Sequence, residues 1–219
     1  SGGVPTAAAS ADLNGDGLNE LILTIAGSPG QMMFLVNRGS DSSGWRGYGG
    51  AIAVPVGNGP IDIAAGDMDQ DGRPDLAVAN ELSDTVSLFR NEIILDPGTQ
   101  QPVIDPFTGL PQFRFVLEAT VGTEAGPTGV AIAQLNDYGP PSIVVTCSSN
   151  FIQIFDRDAL AGRPAGGKGV APDWLILLPR YVPIRPNSIP YRPRPVDVDG
   201  DNAADVAVLS RAGEVVSLY

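Results

Sequence analysis

The sequence predicts an all-β chain: a β-propeller of four-stranded antiparallel blades, about four of them, with the last incomplete. Three observations carry this. The 27 glycines and 20 prolines make up about a fifth of the 219 residues, a density of breakers that long helices do not tolerate and short strands joined by turns do. An acidic nine-residue pattern occurs at 12–20, 67–75 and 197–205, with a worn copy at 134–142. Small residues precede the pattern, as Ala7, Ala8 and Ala9 or Ile63, Ala64 and Ala65, and strands crowded around a central axis need such residues.

The elements repeat in the same order. A proline stands seven residues before each copy: Pro5, Pro60, Pro127 and Pro190. After each copy comes a β-rich run, at 20–26, 75–80, 142–147 and 205–210. A second run follows a brief turn, at 32–37, 85–91, 151–157 and 214–219. The first three units then carry another apolar run, at 51–56, 113–121 and 174–178. This predicts one propeller region over 1–219, with blades near 1–57, 58–122, 123–180 and 189–219. The fourth blade lacks its outer strand. Open blade edges invite pairing with other chains, so the expectation is a piece of a larger propeller, or an assembly in which another chain covers the edges.

Composition excludes several chemistries. The chain has 25 acidic against 13 basic residues, a formal charge of −12, and both nucleic acid and anionic membranes call for the opposite sign. It contains no histidine and one cysteine, Cys147. That rules out a Ser-His-Asp triad, imidazole ligation of zinc and an internal disulfide. No apolar stretch approaches 18 residues, so no transmembrane segment is expected. Ser1 is not followed by a charged and apolar leader, which reads as a processed or excised chain.

The acidic loops are the candidate sites. Loop 67–75 places Asp67, Asp69, Asp71 and Asp75 within nine residues, and so many like charges resist folding without a cation. Carboxylate or amide oxygens at positions 1, 3 and 5, a backbone carbonyl at 7 and a carboxylate at 9 suit calcium better than magnesium. The candidate ligands are Asp12, Asn14, Asp16, Leu18 and Glu20 in the first loop, and Asp67, Asp69, Asp71, Arg73 and Asp75 in the second. In the last they are Asp197, Asp199, Asp201, Ala203 and Asp205. Glycine at position 6 permits the sharp turn, and Asn202 replaces it in the last loop. Loop 134–142 has Gln134, Tyr138 and Ser142 at positions 1, 5 and 9 and is expected to keep the turn without metal. Two to three calcium ions follow. An EF-hand is excluded by position 12, where its bidentate Glu is replaced by Leu23, Val78 and Val208.

The pattern of proline, acidic loop and aliphatic strand resembles the FG-GAP/VCBS repeat family, calcium-binding propeller blades found in integrin α-subunits and secreted bacterial proteins. The bacterial style is the nearer one, since the literal Phe-Gly and Gly-Ala-Pro signals are not intact; 48–51 comes closest. The resemblance implies metal loops between the first and second strands on one face of a disc, and commonly seven blades in the full ring. The long connections at 38–50, 92–112 and 158–172 should share the metal-loop face, with the short turns and 181–189 opposite.

Other features have plain readings. The segment 179–195, with six prolines and Arg180, Arg185, Arg192 and Arg194, reads as a stiff connector ahead of a recognition strip. Residues 95–111 read as a surface excursion, Cys147 as a buried small hydrophobe, and Trp45 and Trp174 as core or rim packing before sugar stacking. The leading expectation is a calcium-stabilised, non-catalytic interaction or assembly module whose partner is another protein chain or a glycan. Its setting would be extracellular, cell-surface or periplasmic. The alternative is the propeller portion of a secreted enzyme, such as a polysaccharide lyase or an oxidoreductase subunit. Most carboxylates belong to a repeated loop, whereas an active site occurs once.

Overall fold

A computed structural model describes residues 3–106, 109–135, 139–156, 178–183, 189–210 and 215–218. The chain is all-β, built from successive antiparallel sheets that are the blades of a β-propeller. The first comprises β1 (Pro5–Ala11), β2 (Glu20–Ile25) and β3 (Gln31–Asn37). A small hairpin, β4 (Ser40–Asp41) and β5 (Gly44–Trp45), then leads to β6 (Tyr48–Pro55), which completes the sheet in the order β1-β2-β3-β6. The second blade is β7 (Pro60–Gly66), β8 (Asp75–Asn80), β9 (Thr85–Ile93) and β10 (Phe113–Gly122). The third is β11 (Pro127–Ala133), β12 (Ser142–Cys147), β13 (Phe151–Asp156) and β14 (Leu178–Pro183). The fourth has three strands, β15 (Pro190–Val196), β16 (Asp205–Ser210) and β17 (Val215–Leu218).

The four prolines each open an inner strand, where the missing N–H costs no ladder bond. One step on, the register with the second strand slips: between Pro5 and Ala7, Pro60 and Asp62, Pro127 and Gly129, and Tyr191 and Arg194. The inner strands β1, β7, β11 and β15 are neighbours in that order. Gly129 shows how tightly they approach, because a Cβ there would lie 2.7 Å from the Arg192 backbone of the next blade.

The core lies between blades. Ile22, Met32 and Phe34 of the first pack with Ile63, Leu76, Val78 and Phe89 of the second. Ala77, Ala79 and Leu88 of the second pack with Val130, Ile143, Val145 and Phe155 of the third. Ala131, Val144 and Ile152 of the third meet Val206 and Val208 of the fourth. The second and third sheets therefore use both faces, which explains the continuous burial of β8 and β12. Among the described residues, no helix is long and apolar enough to cross a membrane.

Two expectations need correction. The described part of the third blade's outer strand is Leu178–Pro183, which runs on past the expected 174–178, and 174–177 lie outside the described residues. Within the 179–195 segment, 179–183 belong to β14 and are no connector, while 190–195 lie in β15, the inner strand expected of the fourth blade. Both are edge strands, and an edge strand has an unpaired side on which proline is tolerated. Trp174, Arg185 and the 158–172 connection lie outside the described residues. Trp45 sits on the rim, 63% exposed, with its Nε1 donating to Asn37 Oδ1 at 3.3 Å.

Candidate metal centre

The three acidic loops join the first and second strands of blades one, two and four, and one hydrogen-bond scheme builds all of them. The position-1 carboxylate gathers the amides of the turn. Asp12 accepts from Gly15, Asp16 and Gly17 N–H at 2.8, 3.1 and 2.8 Å. Asp67 accepts from Asp71 and Gly72 at 3.0 and 2.8 Å, and Asp197 from Gly200 and Asn202 at 2.6 and 3.2 Å. Position 3 accepts from the amide of position 5, as Asn14, Asp69 and Asp199 do at 3.0 to 3.2 Å. Position 5 accepts from position 7, as Asp16, Asp71 and Asp201 do at 2.8 to 3.0 Å.

This winding needs two left-handed residues per loop. Position 6 is Gly17, Gly72 or Asn202, with φ of 81°, 89° and 70°. Position 4, which the sequence reading missed, is Gly15, Gln70 or Gly200, with φ of 78°, 61° and 83°. Gln70 carries the strain of a non-glycine residue there, and its Nε2 donates to Gly139 O of the worn loop at 2.8 Å.

Position 9 turns inward. Asp75 is 1% exposed; its Oδ2 accepts from Met68 N–H at 2.8 Å and its Oδ1 from Asn91 N–H at 2.9 Å. Glu20, fully buried, does the same with Leu13 at 2.8 Å and Asn37 at 3.3 Å, and Asp205 accepts from Val198 N–H at 2.8 Å. Burial pushes the Asp75 carboxyl up to about 6 against those amide bonds, with the Asp69 and Asp71 charges adding to the rise. Glu20 is raised too, by burial first, the Leu13 and Asn37 amides opposing it.

The candidate ligands converge unequally. Asp67, Asp69 and Asp71 bring one oxygen each within 4.8 Å of one another, and so do Asp197, Asp199 and Asp205. Asp75 and Asp201 stand outside these trios, and the carboxylates of loop 12–20 form no such trio among the described residues. These Asp clusters can hold a metal ion, since three hard oxygens at this spacing suit a cation of calcium or magnesium type. Arg73, placed at position 7, adds something the sequence did not predict. Its guanidinium pairs with Asp71 and its Nε donates to Asn91 O at 3.2 Å. Beside it an open cleft of about 550 Å³ is lined by Asp69, Asp71, Arg73, Arg90, Glu92 and Arg114 among others. In the worn loop, Ser142 Oγ donates to Asp156 Oδ1 at 2.7 Å where the other loops have an inward carboxylate.

Position 2 and one asparagine were also missed. Leu13 and Met68, 1% and 0% exposed, lie in the interface with the following blade. Asn91 Nδ2 donates across that interface to Leu13 O at 2.9 Å and to its own loop at Pro74 O, 3.2 Å. The loop is thus a clasp between blades as well as an acidic cluster.

Residues 12–78 match the FG-GAP-like repeat. The match spans the first two acidic loops and most of the blade between them. A search of the curated proteins found no match. Among solved structures, the chain is similar to the crystal structure of BBS1N in complex with ARL6DN, soaked with lead. The TM-score is 0.49 at 16% identity, over 99% of this chain and 52% of that one. The chain spans about half the length of that solved chain.

Proposed function

We propose that this FG-GAP-repeat propeller fragment is a calcium-stabilised, non-catalytic module that works outside the cytoplasm through contact with another protein chain or a glycan. The observation that carries the reading is repetition. One hydrogen-bond scheme is built three times, and two of the three loops converge three carboxylates within 4.8 Å. A catalytic pair has no reason to be copied around a ring, whereas a structural ion holding each blade to its neighbour does. Calcium fits the loops better than magnesium, because it accepts six to eight oxygens in a flexible geometry where magnesium demands a near-ideal octahedron and keeps several waters. Loops of this kind suit the millimolar calcium of extracytoplasmic space.

The test is thermal unfolding of calcium-loaded protein before and after chelation. Calcium should raise the melting temperature and EDTA should lower it. Identical curves would overturn the structural-metal reading.

A further inference from the structure

The acidic loops repeat, but the arginines beside the second one do not. Arg73, Arg90 and Arg114 line a single open cleft of about 550 Å³. They reach it from the loop, from β9 and from β10. Position 7 of the loop, occupied by Arg73, is Leu18 in the first blade and Ala203 in the fourth. Arg90 stands one residue past the β9 partner of Leu76, and that place holds Val36 in the first blade and Asp156 in the third. Arg114 faces Glu92 across the β9–β10 ladder. What recurs in each blade serves the ring, whereas a charged cleft built once is free to serve a ligand.

These guanidiniums outnumber their acceptors. Glu92 serves two of them: Oε1 pairs with Arg90, and Oε2 accepts from Arg114 Nη2 at 3.0 Å and Nε at 3.3 Å. Arg90 Nε is buried and, among the described residues, has no hydrogen-bond partner, although a guanidinium carries five donors. Arg73 pairs with Asp71. Asp69 and Asp71 line the cleft and also belong to the trio that converges on the second loop. Three positive groups thus meet three negative ones, and a divalent cation held by the trio would tip the balance to positive. Ile93, Ile94 and Leu95 complete the wall with an apolar strip. No aromatic ring is among the described lining residues, so the stacking platform that a sugar would use is missing.

We propose that this cleft binds the carboxylate of an acidic peptide segment between Arg90 and Arg114, with Ile93, Ile94 and Leu95 against a neighbouring apolar side chain. Guanidinium groups match a carboxylate with paired, charge-assisted hydrogen bonds. Glu92 fills that place in the free chain, and the ligand carboxylate competes with it. Calcium in the second loop favours the peptide, and by linkage the peptide favours calcium. The formal charge of −12 makes the chain as a whole repel an acidic peptide, so the attraction is local to the cleft. This gives the proposed protein partner its chemistry and rests on that part of the proposed function; only the calcium dependence rests on the metal.

The experiment is fluorescence anisotropy of a labelled peptide of alternating aspartate and leucine, titrated with the chain in calcium and in EDTA. The wild type should bind at least about fivefold more tightly in calcium. The double variant R90Q/R114Q should weaken binding by at least about tenfold, and E92Q, which removes the competing carboxylate, should tighten it. R46Q removes an exposed charge outside the cleft and should bind as the wild type does. A retained melting transition for each variant shows that it folds. No binding, equal losses in R46Q and R90Q/R114Q, or an E92Q chain that binds no tighter would each overturn the proposal. So would a galacturonate oligomer that binds through the same arginines where the peptide does not. Equal binding in calcium and EDTA, in a chain whose melting temperature calcium does raise, would overturn the coupling. No peptide binding together with a calcium-raised melting temperature would leave the calcium-stabilised module standing. Peptide binding without any calcium shift in melting temperature would remove only the metal reading.

Discussion

Substituting Asp69 by Asn separates the two demands on an acidic loop, because the first loop already carries Asn14 at that position. Asn14 Oδ1 accepts the Asp16 amide at 3.0 Å as Asp69 Oδ1 accepts that of Asp71 at 3.2 Å. The turn should therefore survive D69N while one charge is lost. Without metal, Asp69 faces two carboxylates within 4.8 Å. Each such pair costs about 1 kcal/mol in water and about 3.5 kcal/mol at an effective dielectric near 20. The cluster is half-exposed, so the screened end applies, and D69N should stabilise the metal-free chain by about 2 kcal/mol. With calcium the balance shifts. A site held at 100 times its dissociation constant adds about 2.7 kcal/mol, and a tenfold loss of affinity removes about 1.4 kcal/mol of that. At roughly 2–4 °C per kcal/mol for a chain of this size, D69N should melt about 4–8 °C higher in EDTA. Its calcium-induced rise should be smaller than the wild type's by at least about 3 °C. Differential scanning calorimetry in matched EDTA and calcium buffers measures both. A variant that melts lower in EDTA and keeps the full calcium shift would refute the like-charge argument and the ligand role together.

Two further outcomes follow from burial. L13A should cost about 2–5 kcal/mol, because Leu13 is 1% exposed in the interface between the first two blades. V198A in dilute protein should cost less than about 0.5 kcal/mol, because the same loop position is 64% exposed; urea denaturation at submicromolar concentration compares them. Asp62 is 2% exposed on β7, accepts the Val130 amide at 3.2 Å, and is raised above 3.8 by burial, with the Arg194 and Arg192 charges partly opposing. A raised carboxyl binds its proton more tightly in the folded chain, so its stabilisation is present at low pH and fades as pH rises through the folded value. D62N removes that loss, so in EDTA its stability relative to wild type should grow as pH climbs from about 3.8 toward neutrality. A difference that stays flat with pH would show that Asp62 titrates normally.

Strand starts were legible because the loop marks them. Position 9 begins β8, β12 and β16 at Asp75, Ser142 and Asp205, as the pattern predicts. The prolines marked the inner strands equally well. Proline misled at 178–183, where its density suggested a connector and the structure has a strand. The rule that proline disfavours strands holds for strands paired on both sides. A blade has an edge at its inner and outer limits, and there a missing N–H breaks no bond. The charges of the loops were equally plain in the sequence, but the position-9 carboxylate was read only as a ligand. Its two amide bonds come from Met68 and Asn91, and the second lies 16 residues away on another strand. Asn91 itself escaped notice because its partner, Leu13 O, is 78 residues distant and belongs to a different repeat.

That asparagine shows why the acidic loops sit where they do. A loop held only by its own carboxylates would be a detachable metal site, and its cation would stabilise a single turn. Here Met68 N–H, Asp75, Asn91 N–H and the Asn91 amide bond to Leu13 O form one continuous path from the second loop through its blade to the first loop. A cation that tightens Asp67, Asp69 and Asp71 draws in the turn whose second residue, Met68, is packed into the next interface. With a cation bound there, ion, turn and blade contact would be coupled in series, beside the apolar packing and the Thr6–Pro60 and Thr128–Pro190 hydrogen bonds that already join neighbouring blades. The worn third loop fits the same logic. It replaces the inward carboxylate with a hydroxyl bonded to Asp156, and the neighbouring loops bind it directly, through Gln70 on one side and the Ala204 amide to Gln134 O at 2.6 Å on the other.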